Sequence, residues 1–197
     1  MRAISQHMLN TMEHKEPPAF SDQDHPYAIH ALPGLKQKII RFNDMIPPSV
    51  STLLSVGFSR SGKTHCCIQM YSNKNFPYRS MFGNGERIWL ISPTHHVQAE
   101  WEMLNIPDTQ KHSGYSEQVL REVIRLAEND TNEPKLPRLI IIDDCVSTLP
   151  MSRQSALMDL LVYGRHLSIS AMCMIQKFSC SLSHVSKVNF TGFLLYP

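Results

Sequence analysis

The residues with the most chemistry in their spacing are Gly57-Phe58-Ser59-Arg60-Ser61-Gly62-Lys63-Thr64, which fill every fixed position of the pattern G-x-x-x-x-G-K-[ST]. A glycine at 57 lets the chain turn sharply out of a strand. The backbone N–H groups of the loop can then turn inward around phosphate oxygens, and Gly62 lets the backbone come close to them. A helix opening near Gly62 adds the partial positive charge of its N-terminus. Lys63 is expected to reach β- and γ-phosphates and Thr64 to bind Mg²⁺ through its hydroxyl. His65, the next residue, completes the set expected against the nucleotide. Two loop residues are unusual. Phe58 is expected to pack below the loop, and Arg60 either adds charge near the phosphates or is simply exposed.

A second constellation is Leu139-Ile140-Ile141-Ile142-Asp143-Asp144, an aliphatic run ending in two carboxylates. Alone, such an ending often just caps a following helix. Roughly 80 residues after a phosphate loop, it reads as the acidic strand that completes a nucleotide site. Asp143 is expected to hold the water shell of Mg²⁺, and Asp144 to orient or activate the attacking water as general base. Gln176 closes a later apolar run, where it could sense a γ-phosphate or hold water; the plainer alternative is an exposed polar residue ending a strand. Gly164-Arg165-His166 stands just before that run. At ~3.3 Å per residue the run spans roughly 25 Å, so Arg165 lies at the wrong edge of a sheet to touch its own nucleotide. It could reach a neighbour's, as an arginine finger given in trans, or answer the macrodipole at a helix C-terminus.

These groups need a scaffold, and the chain alternates strand and helix signals from residue 50 onward. Residues 50–56 form an apolar β-branched run, followed by the loop and a helix over about 62–72. Residues 87–92 make a second strand, ended by Pro93. Apolar positions 119, 120, 123, 124 and 127 have helical spacing, as do 156, 157, 160 and 161, the latter helix closing with Gly164 as a C′ residue. Residues 138–142, 168–175 and 189–196 complete the strands. Continuous rather than alternating apolar strands suit a parallel sheet covered on both faces, and strands separated by helices suit βαβ crossovers. If the run ending in Gln176 lies between the loop strand and the acidic strand, its tip faces the γ-phosphate. Residues 1–46, with His7, His14, His25, His30 and prolines at 17, 18, 26 and 33, show weak periodicity and are expected to be a poorly ordered arm or a surface strap. Within it, residues 35–46 could make a short amphipathic element. Residues 47–197 are expected to form the P-loop ATPase domain.

The set GFSRSGKT, RIWLISP, LIIIDD, LVYGRHLSIS and Gln176 resembles the poxvirus-type genome-packaging ATPases of the FtsK–HerA superfamily, found across large DNA viruses, virophages and related elements. The likeness covers roughly residues 50–196 and is strongest from Leu139 to Gln176. It implies a three-layer α/β P-loop NTPase with a mostly parallel sheet of the additional-strand, RecA/FtsK-like type. It further implies ATP and Mg²⁺, hydrolysis coupled to translocation of double-stranded DNA into a capsid, and a ring, a hexamer or pentamer. Docking partners would be a capsid vertex or membrane-associated viral proteins, and the setting would be infected-cell cytoplasm, a virus assembly site or the virion. Arg165 matches the family's arginine before its fourth strand, and Gln176 the superfamily's glutamine at that strand's end. The chain departs from the pattern in two ways: Asp144 stands where glutamate is common, and the sequence given stops soon after the last strand.

Composition sets the bounds on partners. With 197 residues, 42% apolar and 18% charged, the chain can bury a sizeable core. A formal net charge of only +2 predicts weak nonspecific DNA affinity for one copy, so DNA binding needs local concentration of cations or assembly. The five cysteines, Cys66, Cys67, Cys145, Cys173 and Cys180, form no C-x-x-C pair, and their odd count speaks for a reducing compartment. No apolar run approaches the ~20 residues of a membrane helix, and no signal-peptide pattern opens the chain. The pairs His95-His96 and His65-Cys66 are poor metal clusters, because adjacent side chains point apart. Met151, Met158, Met172 and Met174 read as core filler, and Lys74, Lys177 and Lys187 as solvated surface, with a face toward DNA as the alternative. The alternatives to a motor are a nucleotide or small-molecule kinase, for which no clear lid is visible, and an assembly protein that binds nucleotide without turnover.

Overall fold

A computed structural model describes residues 28–29, 40–41, 50–145, 154–177, 182 and 189–196. Of the expected arm only two short strands are described: β1 (Ala28–Ile29) pairs antiparallel with β2 (Ile40–Arg41). The rest of the arm and of the element expected over 35–46 lies outside the described residues, as do Met151, Cys180 and Lys187.

The main sheet contains β3 (Thr52–Val56), β4 (Ile88–Ile91), β5 (Lys111–His112), β6 (Arg138–Asp143), β7 (Ile169–Ile175) and β8 (Gly192–Leu195). Their order is β5-β4-β6-β7-β3-β8, and every ladder is parallel. β7 therefore sits between the loop strand β3 and the acidic strand β6, as expected for the additional-strand type. The connecting helices are α1 (Lys63–Ser72), α2 (Tyr78–Met81), α3 (Glu117–Glu128) and α4 (Ser155–Tyr163).

β3, β4, β6 and β7 lack polar alternation because both of their faces are covered, whereas the edge strand β8 leaves Phe193 and Leu195 exposed. Leu53, Ile88, Leu90, Leu139, Ile141, Met172 and Met174 pack with Cys66, Cys67, Ile68 and Met70 of α1. The intervening positions, among them Leu54, Ile91, Ile140, Ile142, Ala171 and Cys173, pack with Leu120 and Val123 of α3 and Leu157, Leu160 and Leu161 of α4. Each buried aliphatic side chain contributes about 1.5–3 kcal/mol by leaving water. A strand apolar at every position can thus hold two helical layers at once, and that is what keeps the strand ends in fixed register.

Local chemistry sets the helix starts on the α3/α4 face. Ser116 Oγ accepts from the backbone N–H of Val119 at 3.4 Å and caps α3. α4 has no cap from its own Gln154. Instead Glu117 Oε1, at the first residue of α3, accepts from Ala156 N (3.3 Å) and Ser155 Oγ (3.0 Å). The end of α4 differs from expectation. Gly164 is right-handed (φ −53°, ψ −37°), the chain continues as a 3₁₀ turn through Leu167, and Ser168 takes the left-handed conformation at φ 57°. Glycine at 164 answers a close approach rather than a handedness requirement: a Cβ there would lie 3.3 Å from the carbonyl oxygen of Ile169.

Candidate nucleotide site

The loop after β3 is pinned at both ends. Gly57 N donates to Ile175 O at 3.2 Å, tying the loop's start to the tip of β7, and Ser61 N donates to Phe58 O at 3.2 Å. A Cβ on Gly57 would sit 2.6 Å from Cβ of Tyr196 and 2.7 Å from Ser61 Oγ, so only glycine fits there. Gly62 caps α1 with φ +94°, and Arg60 is also left-handed at φ +64°. No side chain caps α1, and a Cβ on Gly62 would meet nothing within 4 Å. The start of α1 thus carries no side-chain cap, an arrangement that can receive an anion.

Lys63 is buried, 5% exposed. Its Nζ donates to Gly57 O at 2.7 Å and Phe58 O at 3.0 Å. Thr64 and His65 lie half-buried on the first turn of α1, and Ser59 and Arg60 are exposed. Phe58 contradicts the expectation: it is 68% exposed rather than packed beneath the loop. The reason is a neighbouring side chain. Tyr196, whose N–H donates to Val56 O at 2.9 Å, lies close against Gly57, so the start of the loop is already packed by another side chain.

The two carboxylates stand at the same end of the sheet in different states. Asp143, the last residue of β6, is buried, and its Oδ2 accepts from Ser92 Oγ at 3.2 Å. Burial pushes its pKa up to about 6, helped by the adjacent charge of Asp144 and opposed by the Ser92 hydrogen bond and the charge of Lys63. Lys63, tied to the carbonyls that follow β3, and Asp143, at the tip of β6, stand at the same end of the sheet. Asp144 leaves the strand in the left-handed region at φ 50°, with its N–H donating to Met174 O at 3.1 Å. Its Oδ2 accepts from Gln176 Nε2 at 3.2 Å. Among the described residues its other oxygen, Oδ1, is buried and finds no partner, and the same holds for Ser61 Oγ.

Lys63, Asp143, Asp144 and Gln176 are therefore gathered at the carboxyl ends of β3, β6 and β7, where open α/β sheets bind ligands. Arg165 is not among them. β6 and β7 run in register from Arg138↔Ile169 to Asp143↔Met174, and Arg165 precedes the first of these pairs, at the opposite edge. It is exposed, with Nε 3.4 Å from Nε2 of His166. One residue at the site has no role assigned by the sequence motifs, although it lies inside the stretch RIWLISP. Ser92 follows the last aliphatic residue of β4, and only knowing that β4 lies beside β6 would single it out.

The residues present fit a triphosphate with a hard divalent cation. They supply an uncapped helix N-terminus, a buried ammonium, two adjacent carboxylates and two buried oxygens without partners. No group of three or more His, Cys, Asp or Glu residues gathers among the described residues, so a cation here would draw its remaining ligands from phosphate and water. A separate cleft of about 490 Å³ opens beyond β4 and β5, lined by His95, His96, Glu102, Asp108 and Lys111 among others. It is a poor phosphate receptor, because Lys111 already bonds Glu102 at 2.8 Å and Asp108 at 3.0 Å. Among the described residues no helix is long and apolar enough to cross a membrane, and Cys66, Cys67, Cys145 and Cys173 are buried and in no disulfide.

No protein-family model and no curated protein matches the chain. Solved structures do. It is similar to a protein described as an ATPase, at 11% identity and a TM-score of 0.50 over 75% of this chain and 66% of that one. A KaiC-like protein of Pyrococcus horikoshii aligns at 13% identity and a TM-score of 0.44, over 74% of this chain and 70% of that one. A chain of the E. coli HORMA:CdnC:Trip13 complex aligns at 10% identity and a TM-score of 0.44, over 76% and 49%. This chain thus spans between half and seven tenths of those structures. With the sheet order above, the first likeness supports a P-loop NTPase-like fold.

Proposed function

We propose that this chain binds ATP with Mg²⁺ and hydrolyses it, and that copies assembled in a ring use the energy to drive double-stranded DNA into a viral capsid. The observation that carries the hydrolytic part is the convergence of Lys63, Asp143, Asp144 and Gln176 at one end of the sheet, with β7 between β3 and β6. The packaging part is supported by the resemblance of the stretch from Leu139 to Gln176 to genome-packaging ATPases.

Each residue has a task in this reading. Gly57 to Thr64, with His65 beside them, would hold the triphosphate through inward N–H groups, with Lys63 released from the loop carbonyls to meet phosphate oxygens. Thr64 and Asp143 would hold Mg²⁺, which when bound supplies positive charge against the phosphate oxygens. Asp144 accepts the proton of the attacking water or orients it, and its unpartnered Oδ1 is the atom suited to that contact. Gln176 holds the other oxygen and fixes the carboxylate's angle. Arg165 of a neighbouring copy would bring its guanidinium to the transferring phosphoryl group.

The small net charge favours a DNA grip that appears only on assembly. The test is ATPase rate with and without double-stranded DNA, alongside mass determination with and without nucleotide. Activity that rises with both DNA and assembly is expected. Hydrolysis by a monomer indifferent to DNA would overturn the motor reading, and absence of nucleotide binding would overturn the whole of it.

A further inference from the structure

We propose that Ser92 is a positioning residue that holds the Asp143 carboxylate in the single orientation able to serve Mg²⁺. The inference rests on the reading that a nucleotide with its metal binds at this end of the sheet. The first support is register. Ile91 pairs with Ile142 across the parallel ladder, so the next residue along β4, Ser92, falls beside Asp143 at the tip of β6. The hydroxyl duly donates to Asp143 Oδ2 at 3.2 Å, with Ser92 fully buried.

The second support is that Ser92 cannot move. Its N–H donates to His112 O at 2.9 Å, and its carbonyl oxygen lies 2.8 Å from Nδ1 of His95. The third is the direction of its single proton. Ser92 Oγ accepts from Thr94 N at 3.4 Å and lies 3.2 Å from Thr94 Oγ1. A serine hydroxyl has one proton and two lone pairs. A carboxylate only accepts, so with the backbone N–H on a lone pair the proton goes to Asp143. A hydroxyl clamped on both sides of its backbone and fixed as a donor is how a protein orients a metal-binding carboxylate from behind. Without it, the Asp143 carboxylate beside the like charge of Asp144 would lose the one side-chain donor seen on its Oδ2 among the described residues.

The test compares wild type with Ser92→Ala, Ser92→Thr and Ser92→Cys, reading equilibrium binding of a fluorescent ATP analogue in EDTA and across a Mg²⁺ titration. Ser92→Ala is expected to bind the analogue in EDTA as wild type does, while needing about tenfold more Mg²⁺ for half-saturation, the usual size of a lost supporting contact. Ser92→Thr, which keeps the hydroxyl, should stay near wild type. Ser92→Cys, close in volume with a weak donor, should fall between and keeps the test valid should the alanine variant not fold. An unchanged Mg²⁺ requirement in Ser92→Ala or Ser92→Cys overturns the proposal. So does an equal loss in EDTA and in Mg²⁺, which marks a merely structural serine. Wild type that gains nothing from Mg²⁺ overturns the nucleotide-site reading itself, and this proposal with it.

Discussion

Asp143 is held in the fold at a cost that its ligand would repay. Its pKa rises from 3.8 to about 6, which corresponds to roughly 3 kcal/mol against the ionised form. An acid with a higher pKa folded than unfolded keeps its proton longer in the native state. Its contribution is therefore most favourable below pH 3.8, is lost as pH rises to about 6, and is flat above that. Asp143→Asn removes the titration and keeps an oxygen for Ser92. The stability gap between variant and wild type should be near zero at pH 4 and open through pH 6 in favour of the variant, by up to roughly 3 kcal/mol in denaturant titrations. The same variant should lose Mg²⁺-dependent nucleotide binding. A gap that does not change with pH would refute the assignment of Asp143 as the strained group. That Lys63, Asp143 and Asp144 come to one end of the sheet was legible in sequence, because a phosphate-loop pattern after one strand and a carboxylate pair closing another fix where each stands. The left-handed turn at Asp144 and the Ser92 bond were not, since both depend on which strands lie side by side.

At the scale of elements the loop is a joint between β3, β7 and β8, and two of its glycines serve different needs. A methyl on Gly57 would press on the stem of Tyr196 and on Ser61, so the end of β8 or the loop has to give. A methyl on Gly62 meets open space but is forced into a left-handed backbone, costing about 1–2 kcal/mol. Gly57→Ala should therefore destabilise by about 1–3 kcal/mol, as overpacking does, and speed amide exchange at Tyr196, whose N–H reaches Val56 O. Gly62→Ala should lose stability without that change in exchange, so Tyr196 protection measured by NMR separates the two. Matched exchange at Tyr196 would mean the loop and β8 are not coupled. Element type was readable wherever apolar runs are long, as in β6 and α3. It was not readable for β5, only two residues at the sheet's edge, nor at Gly164, where close packing against Ile169 rather than handedness selects glycine. The exposure of Phe58 was hidden for the same reason: Tyr196, more than a hundred residues away in sequence, packs against the loop's first residue, Gly57.

At the scale of the whole molecule the decisive fact is that Arg165 and the paired carboxylates occupy opposite edges of one sheet. β7 is a fully buried strand of seven residues, roughly 23 Å long at ~3.3 Å per residue. A rigid strand of that length cannot bend to bring its own preceding turn to Gln176. If Arg165 acts in catalysis at all, it acts on another copy. Arg165→Ala should then bind nucleotide as wild type does and hydrolyse it slower by about 10³-fold or more, the usual worth of such a finger. Lys63→Ala should fail at binding, yet still offer Arg165 to a neighbour. Mixed in varying ratios, these two inactive proteins should regain part of the activity, with a maximum near equal amounts. Each productive site would combine the intact loop of one copy with the intact arginine of the next. A single subunit that needs no partner predicts no recovery at any ratio. A helix-capping Arg165 predicts that Arg165→Ala is merely less stable and hydrolyses normally once folded.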